Sequence, residues 1–142
     1  MKKIISLIVI SIASLCSYSQ NNIHSTPENL VNGMITAIKN KDYCTIRDLA
    51  DPYGNISKSV GEYMVFQYLD KEQQDGIIKH FSSLTLTGYA TYESVPDGDS
   101  QISFALVPVK TIVNGKTLWY KMKLRNRAGM WFLVDFVDFR YN

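Results

Sequence analysis

The chain has little of what usually announces chemistry. Its two cysteines, Cys16 and Cys44, are too far apart for a CxxC pair, and its two histidines, His24 and His80, do not make up a transition-metal ligand set. No glycine-rich phosphate loop and no serine in a nucleophile-elbow pattern occurs. No apolar run reaches the roughly 20 residues that a membrane helix needs. Neither sign of charge dominates, with 15 basic and 13 acidic residues. These absences leave no assigned catalytic residue, no cofactor, no metal site and no membrane span in the expected function.

The longest apolar run lies at the N-terminus. Met1-Lys2-Lys3 precedes Ile4 to Leu15, which is apolar apart from Ser6, Ser11 and Ser14. Two lysines before about a dozen apolar residues match a secretory signal peptide. Ser17 and Ser19 stand at the −3 and −1 positions of a cleavage before Gln20. The expectation is therefore a signal peptide over 1–19 and a single exported domain over 20–142, periplasmic or secreted. A lipoprotein anchored through Cys16 is the alternative, opposed by Leu15 where a small residue is wanted. Removal of Lys2 and Lys3 leaves 13 basic residues against 13 acidic ones. A chain so balanced has no long-range field for nucleic acid. Cys44 then stands alone and reads as a small buried helix residue.

Residues 20–25 are polar and expected to fray. Ser25 or Thr26 caps a first helix, with Pro27 in its first turn and Leu30, Val31, Met34, Ile35 and Ile38 on one face. Asn40-Lys41 ends it. Asp42 caps a short second helix that stops at Asp51-Pro52. Ser57 or Ser59 opens a third helix running to about Tyr68, and Asp70 caps a continuation of it or a fourth helix carrying Ile77, Ile78 and Phe81. From Leu84 the period becomes twofold. Four strands are expected at about 84–95, 101–113, 116–126 and 130–140. The fold class is α+β, with N-terminal helices packed on a curved four-stranded antiparallel sheet.

The turns set the faces. Asn114-Gly115 reads as a two-residue type I′ turn, pairing Val113 with Lys116, Val109 with Tyr120 and Val107 with Met122. Arg127-Ala128-Gly129 reads as a three-residue turn pairing Asn126 with Met130. That register puts Ala105, Val107, Val109, Leu118, Tyr120, Met122, Leu124, Phe132, Val134 and Phe136 inside. It puts Asp138 inside opposite Leu118, and Lys121 outside opposite Asp135. The outer face then carries Phe104, Leu106, Trp119, Lys121, Trp131 and Leu133, with Lys123, Arg125 and Val137. Two tryptophans and several large apolar groups on one sheet face point to an interaction surface. Tyr63, Tyr92, Tyr120 and Asp138 are the candidates for an inner ligand site, where tyrosine hydroxyls and a carboxylate at an apolar rim can hold a ligand.

The phrase Asn40-Lys41-Asp42-Tyr43, leading to Leu49-Ala50-Asp51-Pro52, and the ending Gly129-Met130-Trp131-Phe132-Leu133-Val134-Asp135-Phe136 resemble the nuclear transport factor 2-like superfamily, which includes the ketosteroid-isomerase-like proteins. Exported bacterial members look nearest. The resemblance implies a cone-shaped, cystatin-like architecture in which a curved sheet wraps a long helix, a mouth that holds a small apolar ligand, and a homodimer through the outer sheet face. Enzymes of the superfamily place an acid–base carboxylate or histidine inside the cone, whereas the inner face here is nearly all apolar. The expected function is thus a non-catalytic exported small-ligand-binding or protein-interaction domain. An isomerase or cyclase with Asp138 as general base is the alternative, and an accessory or inhibitory protein for another exported partner is a third.

Overall fold

Residues 20–51 and 69–138 are described by the computed structural model. The expected signal peptide with Cys16, and the expected third helix with Tyr63, lie outside the described residues.

The segment expected to fray is ordered by specific contacts. Gln20–Ile23 forms a short helix, α1, and Ile23 lies against Gly33 so closely that a Cβ built there would meet its Cγ2 at 2.6 Å. His24 is buried. Its Nδ1–H donates to the carbonyl of Trp131 at 2.6 Å, and its own carbonyl accepts the Trp131 N–H at 2.9 Å. One histidine thus satisfies both backbone groups of a strand residue, which a frayed leader would leave to water.

Helix α2, Pro27–Lys39, starts as its caps dictate, with the Thr26 hydroxyl accepting from the Asn29 N–H. It ends in a Schellman motif, Asp42 N–H to Ala37 C=O at 2.8 Å and Lys41 N–H to Ile38 C=O at 3.1 Å. Lys41 occupies the left-handed position at φ 51°. Asp42 immediately caps α3, Tyr43–Leu49, through the Thr45 N–H. Helix α4, Lys71–His80, begins with a reciprocal capping box between Asp70 and Gln73. Lys71, Asp75 and the Tyr43 hydroxyl tie α4 to α3.

Five strands, not four, form one antiparallel sheet: β1 Thr85–Leu86, β2 Thr91–Asp97, β3 Ser100–Val113, β4 Lys116–Arg127 and β5 Met130–Asp138. The order is β1-β3-β4-β5, with β2 also on β3. The single strand expected at 84–95 is broken opposite Pro108. The Thr87 N–H donates to the Pro108 carbonyl, so the side of Pro108 facing β1 and β2 is the side on which it has no N–H to return. The Ala90 N–H beyond the break is met by the Glu28 carboxylate of α2 at 3.2 Å.

The β3–β4 register is the expected one, Val113 with Lys116, Val109 with Tyr120 and Val107 with Met122. The β4–β5 register is not. Arg127 pairs with Met130 across a two-residue turn, with Ala128 at φ 52° and Gly129 at φ 83°. A loop one residue shorter turns Trp131 and Leu133 inward and Phe132 outward. Val134 is then the extra residue of a bulge between the Leu124–Leu133 and Lys123–Asp135 pairs. The bulge restores the phase, so Phe136 and Asp138 keep inner positions, but Asp138 pairs with Tyr120, not Leu118, and Lys121 faces Val137 while Lys123 faces Asp135.

The inner face meets the helices in one core. Leu30, Val31, Met34 and Ile38 of α2, Ile46 and Leu49 of α3 and Ile78 of α4 cluster with Ala105, Val107, Val109, Met122, Leu124 and Trp131. Helices on one side of an antiparallel open sheet make the α+β layout. At the β5 edge, Ala50 bridges Leu133. The Asp51 carboxylate, buried at 1 % side-chain exposure, takes both an Nε–H and an NH2 bond of Arg127 at 2.9 Å.

Candidate functional site

Alternation puts the odd residues of β4 and the even residues of β3 on the outer face. The buried helix residues other than Pro27 join the inner-face cluster, and no described helix is packed on the outer one. Successive rows across this face pair Glu93 with Phe104, Phe104 with Arg125, and Arg125 with Phe132. In the next row Leu106 pairs with Lys123, and Lys123 with Asp135. Beyond them come Pro108, Lys121 and Val137, then Lys110 opposite Trp119. Cations therefore run along the two central strands, with a carboxylate toward each edge.

Long side chains lie across one another here. The Lys123 ammonium sits 4.3 Å from the Phe104 ring centroid and 3.2 Å from the Glu93 carboxylate. The Lys110 ammonium is 5.6 Å from the Trp119 ring centroid. Phe104 is only 4 % exposed, with the Lys123 side chain lying over its ring and no described helix packed on this face. Burial raises the Asp135 carboxyl above its ordinary range, against the Phe136 N–H and Lys123, which pull it down. Val137 and Ile112 remain exposed.

No family model, curated protein or solved structure matches this chain.

Of the residues expected on this face, Phe104, Leu106, Trp119 and Lys121 are on it. Trp131 and Leu133 are not. Both point inward, Trp131 at 9 % exposure within the core cluster and Leu133 packed against it, because the shorter turn reverses their phase. Phe132 takes their place outside, its ring tilted against that of His24 at 4.6 Å. The chemistry of this face rests as much on Arg125, Lys123, Lys110 and Glu93, and the first two show in the sequence as the alternating run Lys121-Met122-Lys123-Leu124-Arg125. Glu93 shows only once β2 is paired.

The inner candidates separate into two places. Tyr92 is 65 % exposed and leans on Trp131 at a ring distance of 5.9 Å, over the small Ala105 to which it is paired. Tyr120 lies four residues along β4 from Leu124, roughly 13 Å away at strand rise. Its hydroxyl hydrogen-bonds His80 Nε2 at 2.9 Å, and its ring meets Phe81 and Phe136 edge-on. Asp138 shares the Tyr120 register position. The Thr111 hydroxyl donates to the His80 carbonyl at 3.0 Å, which fixes the helix end that carries the imidazole. A histidine-bonded phenol can donate to a ligand oxygen; Tyr92 is not part of that arrangement.

Elsewhere, an open groove of about 490 Å³ runs between α1, α2 and α3, bordered by Asn22, Asn32, Thr36 and Asn40 with Ile23 and Gly33 as its floor. Its lining mixes asparagine and threonine side chains with apolar surface from Ile23, Gly33 and Ala37, and it lies among the helices and not on the inner sheet face where a small apolar ligand was expected. Among the described residues no three His, Cys, Asp or Glu side chains converge as metal ligands, and no helix is long and apolar enough to cross a membrane.

Proposed function

We propose that this chain is a non-catalytic exported interaction domain of the nuclear transport factor 2-like cone type, and that its working surface is the outer face of the sheet. The observation that carries this reading is a buried phenylalanine, Phe104, on a face that no described helix covers, with the Lys123 ammonium over its ring and Leu106 in the next row of the same face. Aromatic and guanidinium groups held in place on an open face are the composition of interface hot spots, where rigid rings supply area at low entropic cost.

The test compares the mature protein with Trp119→Ser, which removes the ring under Lys110 without touching the core cluster. Both are immobilised and exposed to extract of the native host, and native mass is recorded for each alone. Loss of one defined partner, or of self-association, in Trp119→Ser supports the reading. Complexes identical for the two proteins would overturn it.

A second reading rests on the Tyr120–His80 hydrogen bond. There the inner face binds a small ligand, with Asp138 at the same register position as Tyr120 acting as anchor or base. It expects Tyr120→Phe to abolish binding of a hydrophobic fluorescent probe such as anilinonaphthalene sulfonate. Unchanged or absent probe binding would remove it.

A further inference from the structure

Resting on the outer face as the working surface, we infer that Arg125 is the seat for a carboxylate presented by an acidic segment of a partner protein. Three other cations of the central strands already have company. Lys123 is held by Glu93 at 3.2 Å and lies over Phe104, Lys110 lies over Trp119, and Arg127 makes its two bonds to Asp51. Arg125 has no hydrogen bond or ion pair to any described residue, and its Nε is shielded from water with no partner. A buried donor left unmet is costly to keep. Only Nε is shielded, so the terminal NH2 groups of the guanidinium are the donors a partner can reach, and a carboxylate bound there polarises and shifts the Nε–H beside them.

The surroundings select the acceptor. Arg125 pairs with Phe104 on one strand and Phe132 on the other, so its register neighbours on both sides are aromatic, and the low local dielectric of apolar neighbours strengthens an ion pair made there. A planar fork of donors matches a carboxylate in bidentate fashion. Lys121, Lys123 and Arg125 recur at every second residue, about 6.8 Å apart along β4. An extended peptide with acidic side chains at alternate positions has the same repeat. Glu93 and Asp135 flank the row, and they oppose a phosphate polymer whose charge is continuous, whereas a peptide can place neutral residues against them. A second copy of this chain would set the cationic row against itself.

The reporter is the Arg125 Nε–H resonance in proton–nitrogen correlation spectra of the full mature protein, because shielding from water slows its exchange. The probes are a capped peptide of three alternating glutamate–valine repeats, its glutamine counterpart, and inorganic phosphate. The expected result is a saturable shift of the Arg125 Nε–H and the Trp119 indole N–H with the glutamate peptide alone, weakened by salt. Arg125→Gln should weaken that binding about tenfold or more, with Arg125→Lys between. Chemical-shift dispersion of the core methyls establishes that each variant is folded, and the wild-type titration stands even where one is not. No shift, an equal shift with the glutamine peptide, or an equal shift with phosphate would overturn the inference. So would a homodimer dispersed by Arg125→Gln, since a second copy would then be the occupant. If Trp119→Ser abolishes partner capture while Arg125→Gln leaves it intact, the carboxylate seat falls and the interaction surface stands. If neither matters, both fall.

Discussion

Asp135 lies on the outer face opposite Lys123, and burial lifts its carboxyl above the ordinary value of 3.8 despite that lysine. Just above that value the folded protein therefore holds a proton that the unfolded chain has released. Stability falls as pH rises through this window, and at neutral pH the ionised group is a net cost. Asp135→Asn is expected to raise the urea midpoint at pH 7 and to flatten its acid dependence between pH ~4 and neutrality. A variant less stable than wild type at pH 7 would show that the Lys123 contact outweighs desolvation. Lys41 presents a backbone cost of a different kind. It holds φ 51° at the end of α2, a region that disfavours residues with a Cβ by about 1–2 kcal/mol. Glycine removes that strain but adds unfolded-chain freedom. The expected gain for Lys41→Gly is therefore about 0.5–1 kcal/mol, read from denaturant midpoints at unchanged m-value.

At the scale of elements, what could be read from the sequence depended on whether a residue type forces one backbone solution. Asn114-Gly115 does, because both residues tolerate positive φ, and the whole β3–β4 register follows from it. Arg127-Ala128-Gly129 does not. Only Gly129 is a natural left-handed residue, and the three-residue turn that uses it alone is the cheaper local choice. The structure pays the left-handed penalty at Ala128 as well, and Trp131 and Leu133 join the core in return, so tertiary burial overrides turn chemistry. The break between β1 and β2 was hidden for a related reason, since it comes from Pro108 on the neighbouring strand and not from the broken strand itself. The docking of α1 was equally invisible, because Gln20 to Ser25 are polar apart from Ile23, and what orders them is a contact with Gly33 and a pairing with Trp131. Gly33→Ala tests this. The added methyl gains about 1 kcal/mol of helix propensity but displaces Ile23, whose Cγ2 lies 2.6 Å from the new Cβ. The overall midpoint should change little, while hydrogen exchange at the Trp131 amide, which donates to His24, speeds up markedly. Unchanged exchange would mean that α1 and His24 are docked independently of that close approach.

At the scale of the whole molecule, the described residues form two layers, and the layers are joined at the β5 edge by a charge pair as well as by the core. Asp51 lies two residues after α3, and Arg127 ends β4 beside the β4–β5 turn. The Asp51 backbone N–H also donates to the Leu133 carbonyl at 2.8 Å, so the carboxylate is carried into its buried position by main-chain pairing whatever faces it. Removing the guanidinium therefore strands a desolvated charge that cannot swing out to water. Breaking a buried pair from one side costs about 3–5 kcal/mol, a large share of the 5–15 kcal/mol that holds a domain of this size together. Arg127→Met is expected to lower stability by about that amount, and Asp51→Asn/Arg127→Met together by much less than the sum of the single changes. The cycle is read from urea unfolding, and it has a structural corollary. Because Arg127 fixes the turn that sets the phase of Trp131, Phe132 and Leu133, its loss should also broaden or shift the Trp119 and Arg125 resonances of the outer face, several residues away along β4. A loss of stability with the outer-face resonances unmoved would show that the β5 register is set by core burial alone, and that the Asp51 pair adds strength without adding specificity.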